Sequence, residues 1–279
     1  MREERSENNL IMALKWLRIS CQNPAVFLLI FIVFFVGFGL EPSQAQFAES
    51  IGKAQGLNAW QSQQAFQTDA LVEFGGNKIF DGTMLFTTNM SKIRIETRDG
   101  VNLLFDGTDA WVSPASADFP GARFHLFTWP YFLSVPFKLG DPGVHLEDKG
   151  MLKLNDGMHP AAKMTFSAGV GDTSDDWYIL YRDPKTGYLS AMAYIVTYGT
   201  TVEKAEKEPH AIIYDDFMEV NGVTVPTTWM FYNWNETEGA HGEPIGKVEL
   251  SNLRFVSPPA AAFAKPADAK RDELPGRKK

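Results

Sequence analysis

Residues 177–198 read WYILYRDPKTGYLSAMAYIVTY, and this stretch decides the fold. Trp177 to Arg182 and Tyr188 to Tyr198 are two aromatic-rich runs of strand character, separated by Asp183-Pro184-Lys185-Thr186-Gly187. Two such runs joined by a short, Gly-containing turn read as a hairpin, so the pairing here is antiparallel. The same grammar continues on both sides. Ile93 and Ile95 alternate with Lys92, Arg94 and Glu96, and Met164, Phe166 and Ala168 alternate with Lys163, Thr165 and Ser167. A period of two marks strands with one buried and one wet face, as in antiparallel sheets. Asp81-Gly82, Asp99-Gly100, Asp106-Gly107 and Asn221-Gly222 all suit the positive-φ geometry of tight turns. Near the C-terminus Val248 and Leu250 share one phase and Leu253 and Phe255 the other, which places a bulge near Ser251-Asn252.

The pattern yields about eleven strands. A sheet that wide in one small domain must curl. The expected fold is therefore α+β, a single strongly curved antiparallel sheet forming an incomplete barrel. Helix is expected only at its start, where Phe47, Ile51 and Ala54 fall on one face and Gly56 breaks or kinks the run before Leu57 to Phe66.

One segment departs from the alternation. Residues 119–143, FPGARFHLFTWPYFLSVPFKLGDPG, carry four prolines among many aromatics. That is too proline-rich for a regular strand or a long helix, and too apolar for a solvated loop. Held against a curled sheet it either plugs the core or closes off an apolar interior.

The first 45 residues read as an export signal. Lys15 and Arg18 lead into sixteen uncharged, mostly apolar residues, Ala25 to Leu40, followed by the small residues Ser43 and Ala45. Sixteen residues at 1.5 Å each reach roughly 24 Å as a helix, short of the roughly 30 Å hydrocarbon core, so cleavage after Ala45 is preferred over an anchor formed by residues 25–40. Cys21 precedes the apolar run and so cannot be the lipid-bearing cysteine of a lipoprotein signal. Residues 46–266 form the expected domain, in the periplasm or cell envelope, and the charged stretch 267–279 a disordered tail.

Residues 46–279 hold 22 basic against 30 acidic side chains, a net charge of −8. That balance argues against nucleic acid and against general adhesion to anionic lipid. Cys21 is the only cysteine, so the expected mature domain has neither disulfide nor catalytic thiol. Its stability must come from burial, for which six tryptophans and many Phe and Tyr are available.

The order helix, many antiparallel strands, proline-rich apolar segment is carried by specific residues. These are Phe105-Asp106-Gly107-Thr108-Asp109-Ala110-Trp111-Val112-Ser113-Pro114, then Pro136-Phe137, Asp141-Pro142-Gly143 and Gly169-Val170-Gly171-Asp172. They continue with Tyr178-Ile179-Leu180-Tyr181, Asp183-Pro184, Gly187 and Ala193 to Tyr198, and end with Asn221-Gly222-Val223, Pro226, Phe263 and Pro266. Over most of residues 47–266 the chain resembles the LolA/LolB-like bacterial lipoprotein-carrier superfamily, and more closely a family of uncharacterised envelope proteins near it. The resemblance implies a LolA-like half-pipe around a helical plug, with an apolar cavity. It implies no activity.

Chemistry-bearing patterns are sparse. His125, His145, His159, His210 and His241 show no metal-ligand spacing, and no nucleophile elbow is present. Asp172, Asp175 and Asp176 form one carboxylate cluster, read as a solvated loop in preference to a calcium site. No metal and no cofactor is expected. The leading expectation is a monomeric binding protein for a lipid or other hydrophobic small molecule, with transient contacts to membrane or envelope proteins. A curled sheet with an apolar inner face needs something to cover it. Candidate lining residues are Trp129, Tyr131, Phe132, Val135 and Phe137 from the proline-rich segment, with Trp111, Phe166, Tyr181, Tyr194 and Trp229 from the strands. The alternatives are a hydrolase using Asp172, Asp176 or a histidine at the cavity mouth, and a structural or interaction module with a filled core.

Overall fold

A computed structural model describes residues 44–155 and 157–274. The export signal expected at residues 1–45 lies outside the described residues but for its last two positions. No helix among the described residues is long and apolar enough to cross a membrane.

The described residues begin with α1 (Gln44–Gln55) and α2 (Leu57–Ser62), broken at Gly56 as the sequence suggests. Gly56 has φ 88°, and a Cβ there would sit 2.0 Å from the Gly222 carbonyl oxygen, so no other residue fits this corner without rearrangement. The strands follow: β1 (Ala65–Phe74), β2 (Asn77–Thr87), β3 (Ile93–Thr97), β4 (Asn102–Phe105) and β5 (Ala110–Ser113). The proline-rich segment comes next, then β6 (Val144–Leu154), β7 (Gly157–Phe166), β8 (Tyr178–Arg182) and β9 (Leu189–Tyr194). After a short helical turn come β10 (His210–Val220), β11 (Val223–Asn235), β12 (Gly239–Val256) and β13 (Lys270–Asp272).

These thirteen strands of the described residues form one sheet in the order β13-β5-β4-β3-β2-β1-β12-β11-β10-β9-β8-β7-β6, with every pairing antiparallel. The sheet is open, with β13 and β6 as its edges. Two strands more than the sequence reading are present. One is β13, inside the stretch expected to be a disordered tail, where Lys270–Asp272 pair with Ala110–Val112.

Turn chemistry explains most of the register. Asp183 Oδ1 accepts hydrogen bonds from the Lys185 and Thr186 backbone N–H groups at 2.8 and 2.6 Å, which fixes the β8–β9 hairpin. Asn221 and Gly222 both adopt positive φ, 51° and 77°, as a two-residue hairpin turn requires. The expected bulge is present: Thr68 of β1 faces two residues of β12, Asn252 and Leu253, with Asn252 at φ 54°. Asp81-Gly82 is a correction. It lies inside β2, where a Gly82 Cβ would stand 2.2 Å from the Glu96 carbonyl oxygen of β3, so this glycine answers close strand approach rather than a turn.

The largest correction concerns residues 119–143. Ala122–Ser134 form a regular 13-residue helix, α3, continued by a 3-10 turn at Val135–Phe137. Pro130 removes one helical hydrogen bond, a cost of about 3 kcal/mol in a helix interior. Against it, Leu126, Trp129, Phe132 and Leu133 are buried, each contributing roughly 1.5–3 kcal/mol. Burial wins, and the helix persists through the proline.

The main core lies on the sheet face that carries α3. It includes Phe66, Met84, Ile93, Leu103, Met192 and Trp229. Trp60 of α2 stacks on Phe137 at 4.4 Å between ring centroids and donates its indole N–H to the Thr88 carbonyl at 3.1 Å. Gln55, fully buried, joins β9 to β11 by accepting from Leu189 N–H at 2.8 Å and donating to the Thr224 carbonyl at 3.1 Å. A second cluster covers the other face: along β8, Tyr178 and Leu180 belong to the main core, whereas Ile179 and Tyr181 pack with Trp234 and Ala240.

Candidate functional site

Helix α3 carries Phe124, Thr128 and Phe132 at i, i+4 and i+8, a single stripe along one face. Two cavities open beside this stripe and share those three residues together with Val196. The smaller, about 160 Å³, extends toward Tyr131, Phe166, Tyr178, Asp172 and Asp176. The larger, about 570 Å³, extends toward Phe74, Ile79, Trp129 and Tyr194, and is rimmed by Lys204, Lys207 and Glu208. The outer wall is the segment after β9, which runs through the short helix α4 (Val202–Ala205) to β10. Apolar and aromatic walls with a few polar groups at the rim are the usual form of a small-molecule site.

Aromatic packing joins the two chambers. Phe132 lies 4.9 Å from the Tyr194 ring, Tyr131 lies 6.0 Å from Tyr178, and Tyr178 stacks on Tyr194 at 6.4 Å. The Tyr131 hydroxyl is buried and has no hydrogen-bond partner among the described residues. Burial raises the pKa of Tyr131, Tyr178 and Tyr194 above the ordinary phenol value, so all three stay neutral donors. Tyr214 differs, because its hydroxyl donates to the Phe132 carbonyl at 2.9 Å and ties α3 to β10.

At the mouth of the smaller chamber Arg123, Asp172 and Asp176 are paired within the protein. Arg123, in the first turn of α3, donates from Nε and Nη2 to the two Asp172 oxygens at 2.5 and 2.8 Å, while its guanidinium lies over the Phe105 and Phe127 rings. The Arg123 backbone N–H donates to Asp272 of β13 at 2.7 Å, which supplies the helix terminus with a carboxylate that its own N-cap, Gly121, lacks. Asp176 accepts from Thr173 Oγ1, Thr197 Oγ1 and Thr197 N–H, each at 2.7 Å, yet burial still lifts its pKa above the usual carboxylate range. In the larger chamber His125 Nδ1 accepts from the Trp129 indole at 3.1 Å, and burial lowers the His125 pKa to about 4. His210 is lowered for the same reason, so both imidazoles are neutral at pH 7. No cluster of three potential metal ligands occurs among the described residues.

Of the residues singled out from the sequence, Trp129, Tyr131, Phe132, Phe166 and Tyr194 line these cavities. The other five line neither cavity. Val135 is fully buried beside the end of α3, and Phe137 stacks on Trp60. Trp229 is fully buried with its ring edge toward Tyr214, and Tyr181 faces the second cluster, accepting from Trp234 Nε1 at 2.8 Å. Trp111 lies on β5 with its indole bonded to Asp106 at 2.8 Å and Lys265 over its ring. Sequence reading missed Phe124, Thr128 and Val196, three of the four residues common to both chambers. The i, i+4, i+8 spacing of the stripe is present in the sequence, but the prolines around it oppose a helical reading.

Comparison with known proteins agrees with this architecture. No curated protein matches the sequence. The fold is similar to that of a LolA superfamily protein from Nitrosomonas europaea, at 13% identity and a TM-score of 0.52, covering 78% of this chain and 97% of that one. A DUF1329 family protein from Desulfovibrio piger also aligns, at 13% identity and a TM-score of 0.48, over 77% of this chain and 96% of its own. Residues 122–233, which contain α3 and both cavity walls after it, match the model of a family of unknown function, DUF6503, and the described residues have the LolA-like fold that the sequence resembles.

Proposed function

We propose that this is an exported envelope protein that binds a lipid or other hydrophobic molecule in the cleft along α3. The observation that carries the reading is the pair of apolar cavities sharing Phe124, Thr128, Phe132 and Val196. Together they are large enough for an acyl chain, and burying about ten methylenes at roughly 0.8 kcal/mol each suffices for micromolar affinity after association costs. Ligand contacts are assigned to Trp129, Tyr131, Phe132, Phe166 and Tyr194.

The cleft owes its shape to a sheet that curves around α3. Phe127 of the helix meets Phe105 on β4, while Tyr131 meets Phe166 on β7 and Phe132 meets Tyr194 on β9. In the strand order β4 and β7 are nine steps apart. At about 4.8 Å per step a flat sheet would separate them by roughly 43 Å, four times the diameter of a helix. Binding is favoured over hydrolysis because Asp172 and Asp176 already have protein partners at the cavity mouth.

Thr128→Trp tests the proposal. It places an indole in the neck common to both chambers, where empty space and not packed core receives it. The neutral fluorescent probe N-phenyl-1-naphthylamine is expected to bind the wild-type protein and to bind the variant at least tenfold more weakly, with the melting temperature nearly unchanged. Equal binding by both proteins would refute the site.

A further inference from the structure

The chain carries a net charge of −8, but charge is not spread evenly around the proposed cleft. The outer wall contains Glu203-Lys204-Ala205-Glu206-Lys207-Glu208, three acids and two bases, and the fold sorts most of them by sign. Glu203 lines a separate polar hollow beside Asp172 and Asp175. Glu206 accepts from the Trp177 indole at 3.3 Å, and Trp177 packs with the second cluster on the other face of the sheet. Lys204, Lys207 and Glu208 are left on the rim of the larger chamber, two cations against one carboxylate. The remaining titratable groups on that wall, His125 and His210, are neutral because burial lowers both pKa values. Both lysines are exposed, and neither ammonium has a hydrogen-bond or ion-pair partner among the described residues.

An amphiphile entering the cleft therefore meets opposite conditions in its two chambers. The charged groups lining the smaller one are Arg123, Asp172 and Asp176. Arg123 is bonded to both oxygens of Asp172, and Asp176 adds a second carboxylate, so an anion finds no free counter-charge there. At the rim of the larger chamber it finds two. The walls between these ends are apolar: Phe74, Ile79, Trp129 and Tyr194 in the larger chamber, then the Phe124–Thr128–Phe132 neck. A chain whose head stays at the lysines can follow that path inward, with its charge left in water where desolvation costs little.

We infer that the ligand is a single-chain amphiphile with an anionic head, a carboxylate or a phosphate ester, held at the rim of the larger chamber by Lys204 and Lys207, with its chain directed inward through the neck. This rests on the binding reading above and adds the chemical class and the orientation of the ligand. The two lysines then select an anionic head over a neutral or cationic one on the same chain.

Delipidated wild-type protein and the double variant Lys204→Gln/Lys207→Gln would be titrated at pH 8 and low salt by displacement of N-phenyl-1-naphthylamine. The competitors share one chain length: myristate, tetradecyl phosphate, methyl myristate and tetradecyltrimethylammonium. Wild type is expected to bind the anions about threefold or more tighter than the ester, and the cation most weakly. The double variant is expected to bind the anions about three- to tenfold more weakly than wild type, the worth of two exposed charges, and to keep the ester within twofold. It should melt at the wild-type temperature, since both side chains are exposed. Added sodium chloride should erode the anion preference of wild type, as it does for exposed ion pairs. A preference confined to one of the two anions would support the site and identify its head group. A wild type that favours the ester or the cation, an anion preference that survives the double substitution, or a variant that weakens anions and ester alike would overturn the inference. Failure of wild type to take up any of the four probes would instead refute the binding reading itself.

Discussion

Acid should unfold this domain through His125. Its pKa in the folded protein is lowered by burial to about 4, against about 6.5 in an unfolded chain. The folded state therefore holds the neutral imidazole at pH values where the unfolded chain binds a proton. Stability from this residue is fully present above pH 6.5, falls as the pH drops toward 4, and changes no further below that. The gap converts to about 3 kcal/mol in full, of which about 2.5 kcal/mol is already lost at pH 4.5. That is a large part of the stability of an ordinary domain. The groups that share the larger chamber with His125 are Lys204, Lys207, Glu208 and His210. They act equally in a reference variant, His125→Gln, which keeps an acceptor within reach of the Trp129 indole and cannot titrate. Urea unfolding of both proteins at pH 7.5 and pH 4.5 isolates the residue. The wild-type protein is expected to lose about 2.5 kcal/mol more than the variant between the two pH values. Equal losses would show that His125 is not held neutral by burial.

Two further outcomes follow from packing and from the polar rim. Trp60→Ala should cost about 3–5 kcal/mol in chemical denaturation, because it removes a fully packed indole from between Phe66, Phe86, Phe137 and Phe255; a loss below 1 kcal/mol would mean that the α2 corner is not part of the cooperative core. Asp172→Asn should cost about 1–2 kcal/mol, between an exposed and a buried ion pair, since the side chains of Arg123 and Asp172 are 14% and 17% exposed. Hydrogen exchange in that variant should rise first in the opening turn of α3, and exchange unchanged there would separate the Arg123–Asp172 pair from helix stability.

What the sequence disclosed was local. The Asp183–Gly187 hairpin, the Asn221-Gly222 turn, the break at Gly56 and the bulge at Asn252 each depend on backbone preferences of a few adjacent residues, and each is where the spacing placed it. What it concealed was set by distant partners. Helix α3 survives Pro130 only because the sheet buries the helix on several sides, and no window of sequence contains that burial. Gly82 looks like a turn beside Asp81 until the Glu96 backbone of β3 is seen against it. The face of β8 was not legible for a related reason. All of Tyr178, Ile179, Leu180 and Tyr181 are buried, since a second apolar cluster covers the far side, and the alternation that distinguishes in from out is lost. Tyr181 and Tyr194 therefore looked alike as candidates, although one packs under Trp234 and the other borders the larger cavity. The residues common to both chambers belong to α3 and to the irregular segment after β9, and only the folded chain brings these together.

The most direct test of the central claim is native mass spectrometry of the protein as recovered from its own cells, followed by solvent extraction and identification of whatever is released. The expected result is one acyl-chain compound per protein molecule, displaced by N-phenyl-1-naphthylamine and absent from Thr128→Trp purified in the same way. A wild-type protein that emerges empty, and that remains empty when challenged with acyl-chain compounds, would contradict the account and leave the cavities beside α3 as mere packing defects of a LolA-like fold.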